Sequence, residues 1–191
     1  MLDDLNYLST SEIKRFCKKH AIPYAISFET PDGRRRRAGE DDRKGVMLGR
    51  VRQFLTTGAV PPETCLPAAV VCFDPVREPL AGGDQLLYGQ YNKGNRALMS
   101  ILRDLTHGKF KDGAIARILA REFWSRGEAP TLEAFAAAWV HASREHTRPN
   151  PEWAFLSDRA NQTADKNWKK LRSQKAKRVL QILDKIGQGR S

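Results

Sequence analysis

Apolar residues recur at three- and four-residue spacing along most of this chain, the period of an amphipathic helix. Ile13, Phe16 and Cys17 mark the first stripe. Thr10 offers a capping hydroxyl before it, and Pro23 after it drives Ile22 out of the α region. Val46, Met47, Val51, Phe54 and Leu55 mark the second stripe, with Asp41 or Asp42 as its cap and Gly58 as its stop. From Gly94 three more stripes follow at short intervals. The first carries Leu98, Ile101, Leu102 and Leu105, the second Ile115, Leu119, Phe123 and Trp124 behind Asp112, and the third Leu132, Phe135, Ala136 and Trp139 behind Pro130 and Thr131. A last helix, capped by Ser157 or Asp158, runs toward Ile186 on Trp168, Leu171, Val179, Leu180 and Leu183.

Two stretches break this period. Tyr24–Glu29 alternates apolar and polar residues, and Thr30-Pro31-Asp32-Gly33 is a strong turn signal. Arg34–Arg37 follow, so a β-hairpin is predicted between the first two helices. Residues 59–87 hold five of the ten prolines, and their one cation, Arg77, faces Glu63, Asp74, Glu78 and Asp84. Within them Ala68–Phe73 reads either as one short buried strand or as an apolar strap. The domain boundary is expected in this stretch.

Charge adds the functional direction. The formal net charge is +11 over 191 residues, with a pI near 9.9. Such an excess points to nucleic acid, an acidic partner or an anionic membrane. No apolar run approaches the ~18 residues of a spanning helix. The acidic start MLDDLNYL opens no signal peptide, and export is not expected. Three unpaired, widely spaced cysteines fit a reducing compartment. From Arg159 to Ser191 ten Lys/Arg stand against two Asp, a second electrostatic footprint suited to phosphates.

The residues of the first two helices carry a family pattern. E-I-K-R-F-C-K-K-H-A-I-P at 12–23 resembles the first helix of a SAP domain, E-L-K-x-x-L-x-x-x-G-L-P, and K-G-V-M-L-G-R-V at 44–51 resembles its second, K-x-x-L-I-x-R-L. Ile13, Lys14, Ile22, Pro23, Lys44, Met47, Leu48, Arg50 and Val51 match position by position. The resemblance covers roughly residues 5–58 and implies a helix-loop-helix unit that binds DNA, often AT-rich duplex. Ala21 stands where the family has glycine, and the twenty residues from Tyr24 to Arg43 replace its short loop.

The expected architecture is therefore mainly α. An N-terminal SAP-like helix-loop-helix with a small β-hairpin insertion (1–58) leads through a proline-rich linker (59–87) to a helical bundle domain with a basic C-terminal helix (88–191). No Gly-rich phosphate loop, H-E-x-x-H or G-x-S-x-G motif occurs. Cys17 and His20 have C-x-x-H spacing without a second pair, and the remaining histidines are scattered. No catalytic residue, metal site or cofactor is expected.

The function expected is non-enzymatic binding to duplex DNA, mostly through the phosphate backbone, with an AT preference where minor-groove width is read. Lys14, Lys18, Lys19, Lys44, Arg50 and Arg52 would hold phosphates, with Arg34, Arg35, Arg36 and Arg37 reaching a groove. Lys169, Lys170, Arg172, Lys175 and Lys177 would extend the footprint. RNA binding is one alternative, with Tyr7, Tyr24, Tyr88 and Tyr91 as candidate stacking residues. The other is an adaptor that docks a protein partner or a second copy through the helical domain. No membrane partner is expected, and the location is cytoplasmic and nucleoid-associated, or nuclear in a eukaryote.

Overall fold

Ser9, not Thr10, caps the first helix. In a computed structural model that describes residues 3–74, 79–145 and 165–188, the Ser9 hydroxyl accepts the Glu12 N–H at 3.3 Å, while the Glu12 carboxylate accepts the Ser9 N–H at 2.6 Å. This capping box starts α1 (Thr10–Lys19) one residue earlier than expected. The predicted acidic cap of α2 (Lys44–Thr57) is also absent. Arg43 occupies that position and its side chain makes no capping bond to the helix, while Asp41 pairs with Lys14 and Asp42 pairs with Arg50. Gly58 ends α2 in the left-handed conformation, as predicted, its N–H bonding Phe54 O at 2.8 Å.

Described residues fall into two compact units that interleave along the sequence: 1–25, 40–63 and 149–191 in one, and 26–39 with 64–148 in the other. In the first, Ile13, Phe16 and Cys17 of α1 pack with Met47, Leu48 and Val51 of α2. Leu5 and Leu8, around a short 3-10 turn at Asp3–Tyr7, join them. So do Ala176, Val179 and Leu183 of α6 (Asp165–Gln188), at helical spacing. The C-terminal basic helix thus returns to the core of the N-terminal helices.

The second unit has a sheet. β1 (Ala25–Glu29) and β2 (Arg35–Asp41) form the predicted hairpin, its turn closed by Thr30 N–H to Arg34 O at 2.8 Å. A third strand, β3 (Thr64–Leu66), pairs parallel to β1, with Ile26 opposite Thr64 and Phe28 opposite Leu66. The order is β2-β1-β3. Ile26, Ala38 and Leu66 share one core with α3 (Arg96–Leu105), α4 (Ala114–Ser125) and α5 (Leu132–Glu145), through Leu98, Leu102, Ala120, Trp124, Phe135 and Trp139. The Trp124 indole N–H donates to Leu86 O at 2.9 Å.

The mainly α expectation is therefore corrected. Among the described residues, six helices accompany a three-stranded mixed sheet, and the class is mixed α/β. The hairpin is not an insertion on a helical module, since β1 is the central strand of a sheet that buries apolar residues with α3–α5. The proline-rich stretch supplies β3 and buries Leu66, Val70 and Leu86 in that core. Of the two readings of 68–73, the strap fits better, since Ala68–Val70 is a 3-10 turn and Val71 makes only an isolated bridge to Tyr88. The expected caps at Ser157 or Asp158 lie outside the described residues.

Ala21, at the position of the SAP-like glycine, has φ +53. That region crowds a Cβ and costs about 1 kcal/mol or more for an L-residue. Ala21→Gly relieves the strain at some cost in unfolded-chain entropy, and is expected to add roughly 0.5–1 kcal/mol of stability. A higher urea midpoint at unchanged m value checks this.

Candidate nucleic-acid interface

On α6 the buried residues Ala176, Val179 and Leu183 fix which way the helix faces. Lys170, Gln174, Lys177 and Gln181 then fall on the opposite side at i, i+4, i+7 and i+11, and all four are exposed. Lys175 lies on the flank against the Asp3–Tyr7 turn. Its ammonium donates to the Tyr7 hydroxyl at 3.0 Å and stands 4.3 Å from the ring centroid. Lys169 and Arg172 belong to the same helix, but their side chains lie outside the described residues.

Two cations of α2 reach the same turn. Lys44 Nζ donates to Asn6 O at 2.5 Å, and Arg52 Nη2 donates to Asn6 Oδ1 at 3.1 Å. Three predicted cations, from segments far apart in sequence, thus meet at Asn6 and Tyr7. The contacts that orient them here are to neutral oxygens. Lys18 and Lys19 are exposed on the last turn of α1, where the helix dipole favours cations. Lys14 is half-buried against Asp41.

Arg50 is not a surface residue and is corrected as a phosphate contact. Its side chain is 9 % exposed and that of Asp42 4 %, the two joined at 2.5 Å. A second guanidinium contact goes to Pro23 O at 2.9 Å. Arg50 therefore ties the entry of α2 to the end of the α1 connection. Cys17 lies in the same core. Burial pushes its thiol up to about 11, against a smaller opposing effect of the Arg50 charge, so it is a poor nucleophile at neutral pH.

In the other unit Arg34, Arg35, Arg36 and Arg37 are all exposed on and beside β2. The two-residue period sets Arg35 and Arg37 on one side of the strand and Arg34 and Arg36 on the other, with Ala38. Arg34 Nε is 3.3 Å from the Asp32 carboxylate, whose pKa is held below its ordinary value, mainly by a hydrogen bond from the Thr30 hydroxyl. One of the four arginines is thus engaged in the turn itself.

Sequence reasoning picked the cations from charge but missed Asn6 as the partner of Lys44 and Arg52. No spacing rule distinguishes one Asn in an N-terminal turn. Among the described residues, no group of three or more His, Cys, Asp or Glu gathers as a metal site, and no helix is long and apolar enough to cross a membrane. No family model, curated protein or solved structure matches the chain.

Proposed function

We propose that the chain is a non-enzymatic DNA-binding protein that grips the backbone of duplex DNA. One observation carries this reading: α6 docks in the α1–α2 core, so that Lys44, Arg52, Lys170, Lys175 and Lys177 belong to one folded unit. A cationic unit of this kind gains affinity mainly by releasing counterions. The SAP-like motifs of α1 and α2 point to the same ligand. The exposed arginines of β2 offer a separate contact from the other unit, suited to a narrow minor groove. In a bacterial cell such a protein would be nucleoid-associated.

RNA finds less support. Sequence-tolerant RNA binding uses exposed aromatic platforms, whereas Tyr24 packs against one apolar core and Tyr88 and Tyr91 against the other.

Fluorescence anisotropy of the full chain with an AT-rich duplex, a GC-rich duplex and a matched RNA, each over a salt series, tests the proposal. Duplex binding is expected with a steep salt dependence, each lost phosphate contact lowering the log–log slope by ~0.9. Changing Arg34–Arg37 together to Ala should flatten it. Absence of duplex binding at low salt, or tighter binding to RNA, would overturn the reading.

A further inference from the structure

We infer that α6 enters the major groove of duplex DNA and reads base edges with the face that carries Lys170, Ser173, Gln174, Lys177, Arg178 and Gln181. This rests on the DNA reading proposed above and adds base selectivity to a grip that is otherwise blind to sequence.

The face is set by the core. At about 100° per residue, these six exposed side chains fall within an arc of roughly 140°, opposite the buried Ala176, Val179 and Leu183. Lys170, Gln174, Lys177 and Gln181 run down the middle of the arc. Ser173 marks one margin and Arg178 the other. From Lys170 to Gln181 the face is about 16 Å long, or roughly five base-pair steps. A helix about 10–12 Å across fits a major groove about 12 Å wide.

The chemistry of the face selects the ligand. A helix face that meets only water mixes both signs of charge in i, i+4 pairs. Here three cations stand with three neutral hydrogen-bonding side chains and no carboxylate, and the two aspartates of α6, Asp165 and Asp184, fall outside this span. None of the six is apolar, so the face does not suit a membrane surface. Attraction to phosphates accounts for Lys170, Lys177 and Arg178. It does not account for Gln174 and Gln181, since an amide carries no charge and releases no counterion. An amide does offer a donor and an acceptor side by side. Adenine presents the complementary pair in the major groove, the N7 acceptor and the N6 donor, and lysine matches the O6 and N7 acceptors of guanine. Lysine and glutamine alternate along the middle of the face, so each turn carries a group that discriminates one purine. The minor groove offers only acceptors at an A·T pair and would leave the amide oxygens unanswered.

The test compares the full-length wild type with Gln174→Ala/Gln181→Ala, both checked for helical content by circular dichroism. Both positions are exposed on a helix, where alanine preserves the fold. Each protein selects sites from a randomised duplex library. Anisotropy over a salt series then gives affinities for the selected site and for an unrelated duplex. A third duplex carries the selected site with 7-deazaadenine in place of adenine, which removes the N7 acceptor from the major groove and leaves the minor groove and the backbone unchanged.

Wild type is expected to select a site that contains adenine and to prefer it over the unrelated duplex by roughly tenfold or more, the scale of one good bidentate base contact. The double variant should lose that preference while keeping its affinity for the unrelated duplex and its salt slope, because it loses no charge. The 7-deazaadenine site should bind wild type more weakly and the variant no differently. Three results would each overturn the inference while backbone binding stands: a wild type that binds duplex but selects no sequence, a variant that keeps the preference, or a wild type indifferent to the loss of N7. If wild type binds no duplex at low salt, the DNA reading and this inference fail together.

Discussion

Asp42→Asn lowers the free energy of unfolding by about 3–5 kcal/mol, the cost of leaving one member of a buried ion pair uncompensated. The substitution preserves shape and leaves one carbonyl oxygen able to accept from Arg50, so most of the loss comes from charge. With its side chain 9 % exposed, the Arg50 guanidinium reaches little water. Pro23 O remains as a neutral acceptor at 2.9 Å and offsets part of the loss. Urea unfolding followed by circular dichroism reads the effect as a lower midpoint at unchanged m value. Replacing both partners by apolar residues of similar size, Asp42→Leu with Arg50→Met, should recover most of the stability, because the desolvation cost of both ions vanishes with them. A D42N protein within 1 kcal/mol of wild type would show that water reaches Arg50 and that the pair is not sealed. The same burial separates Arg50 from the surface cations, so R50M should weaken DNA binding only as far as it unfolds the chain.

That pair also shows where sequence reading stops. An aspartate just before a helix reads as an N-cap, and both Asp41 and Asp42 fit that rule. The rule fails because each has a stronger partner elsewhere, Lys14 for one and Arg50 for the other. Arg50 did leave a local signal: it stands three residues after Met47 and one before Val51, inside the buried stripe of α2. A cation there must pair or distort the core.

The helices of both units were legible because their period is local and each stripe names its own buried face. The hairpin was legible because Thr30–Gly33 is a turn in its own chemistry. β3 was not. Three residues, Thr64–Leu66, are too few to alternate, and parallel pairing with β1 depends on a partner about forty residues away. The return of α6 to the first unit was equally hidden, since the contact of Tyr7 with Lys175 spans 168 residues. The candidate site inherits that division: its cations stand out in composition, whereas the oxygens that orient them are placed only by the fold.

The docking of α6 yields the second large effect. Leu183→Ala is expected to cost roughly 2–5 kcal/mol, the range for truncating a buried leucine where the site cannot collapse. Leu183 is 2 % exposed, and among the described side chains of α6 Ala176 and Val179 are buried with it. Most helical stability comes from packing, so truncating a buried member of this stripe weakens the hold of the helix on the core. The loss should appear as a lower thermal midpoint and reduced helical signal. Because Lys170, Lys175 and Lys177 ride on α6, L183A should also weaken duplex binding and flatten its salt dependence, although it removes no charge. Lys177→Gln gives the converse: an exposed side chain whose loss leaves stability within about 0.5 kcal/mol while binding weakens. Packing and charge are thereby separated on one helix. If L183A loses stability but binds duplex with wild-type affinity and slope, under conditions where it remains folded, then α6 closes the core and makes no contact with DNA. The grip would then fall to α1, α2 and the arginines of β2.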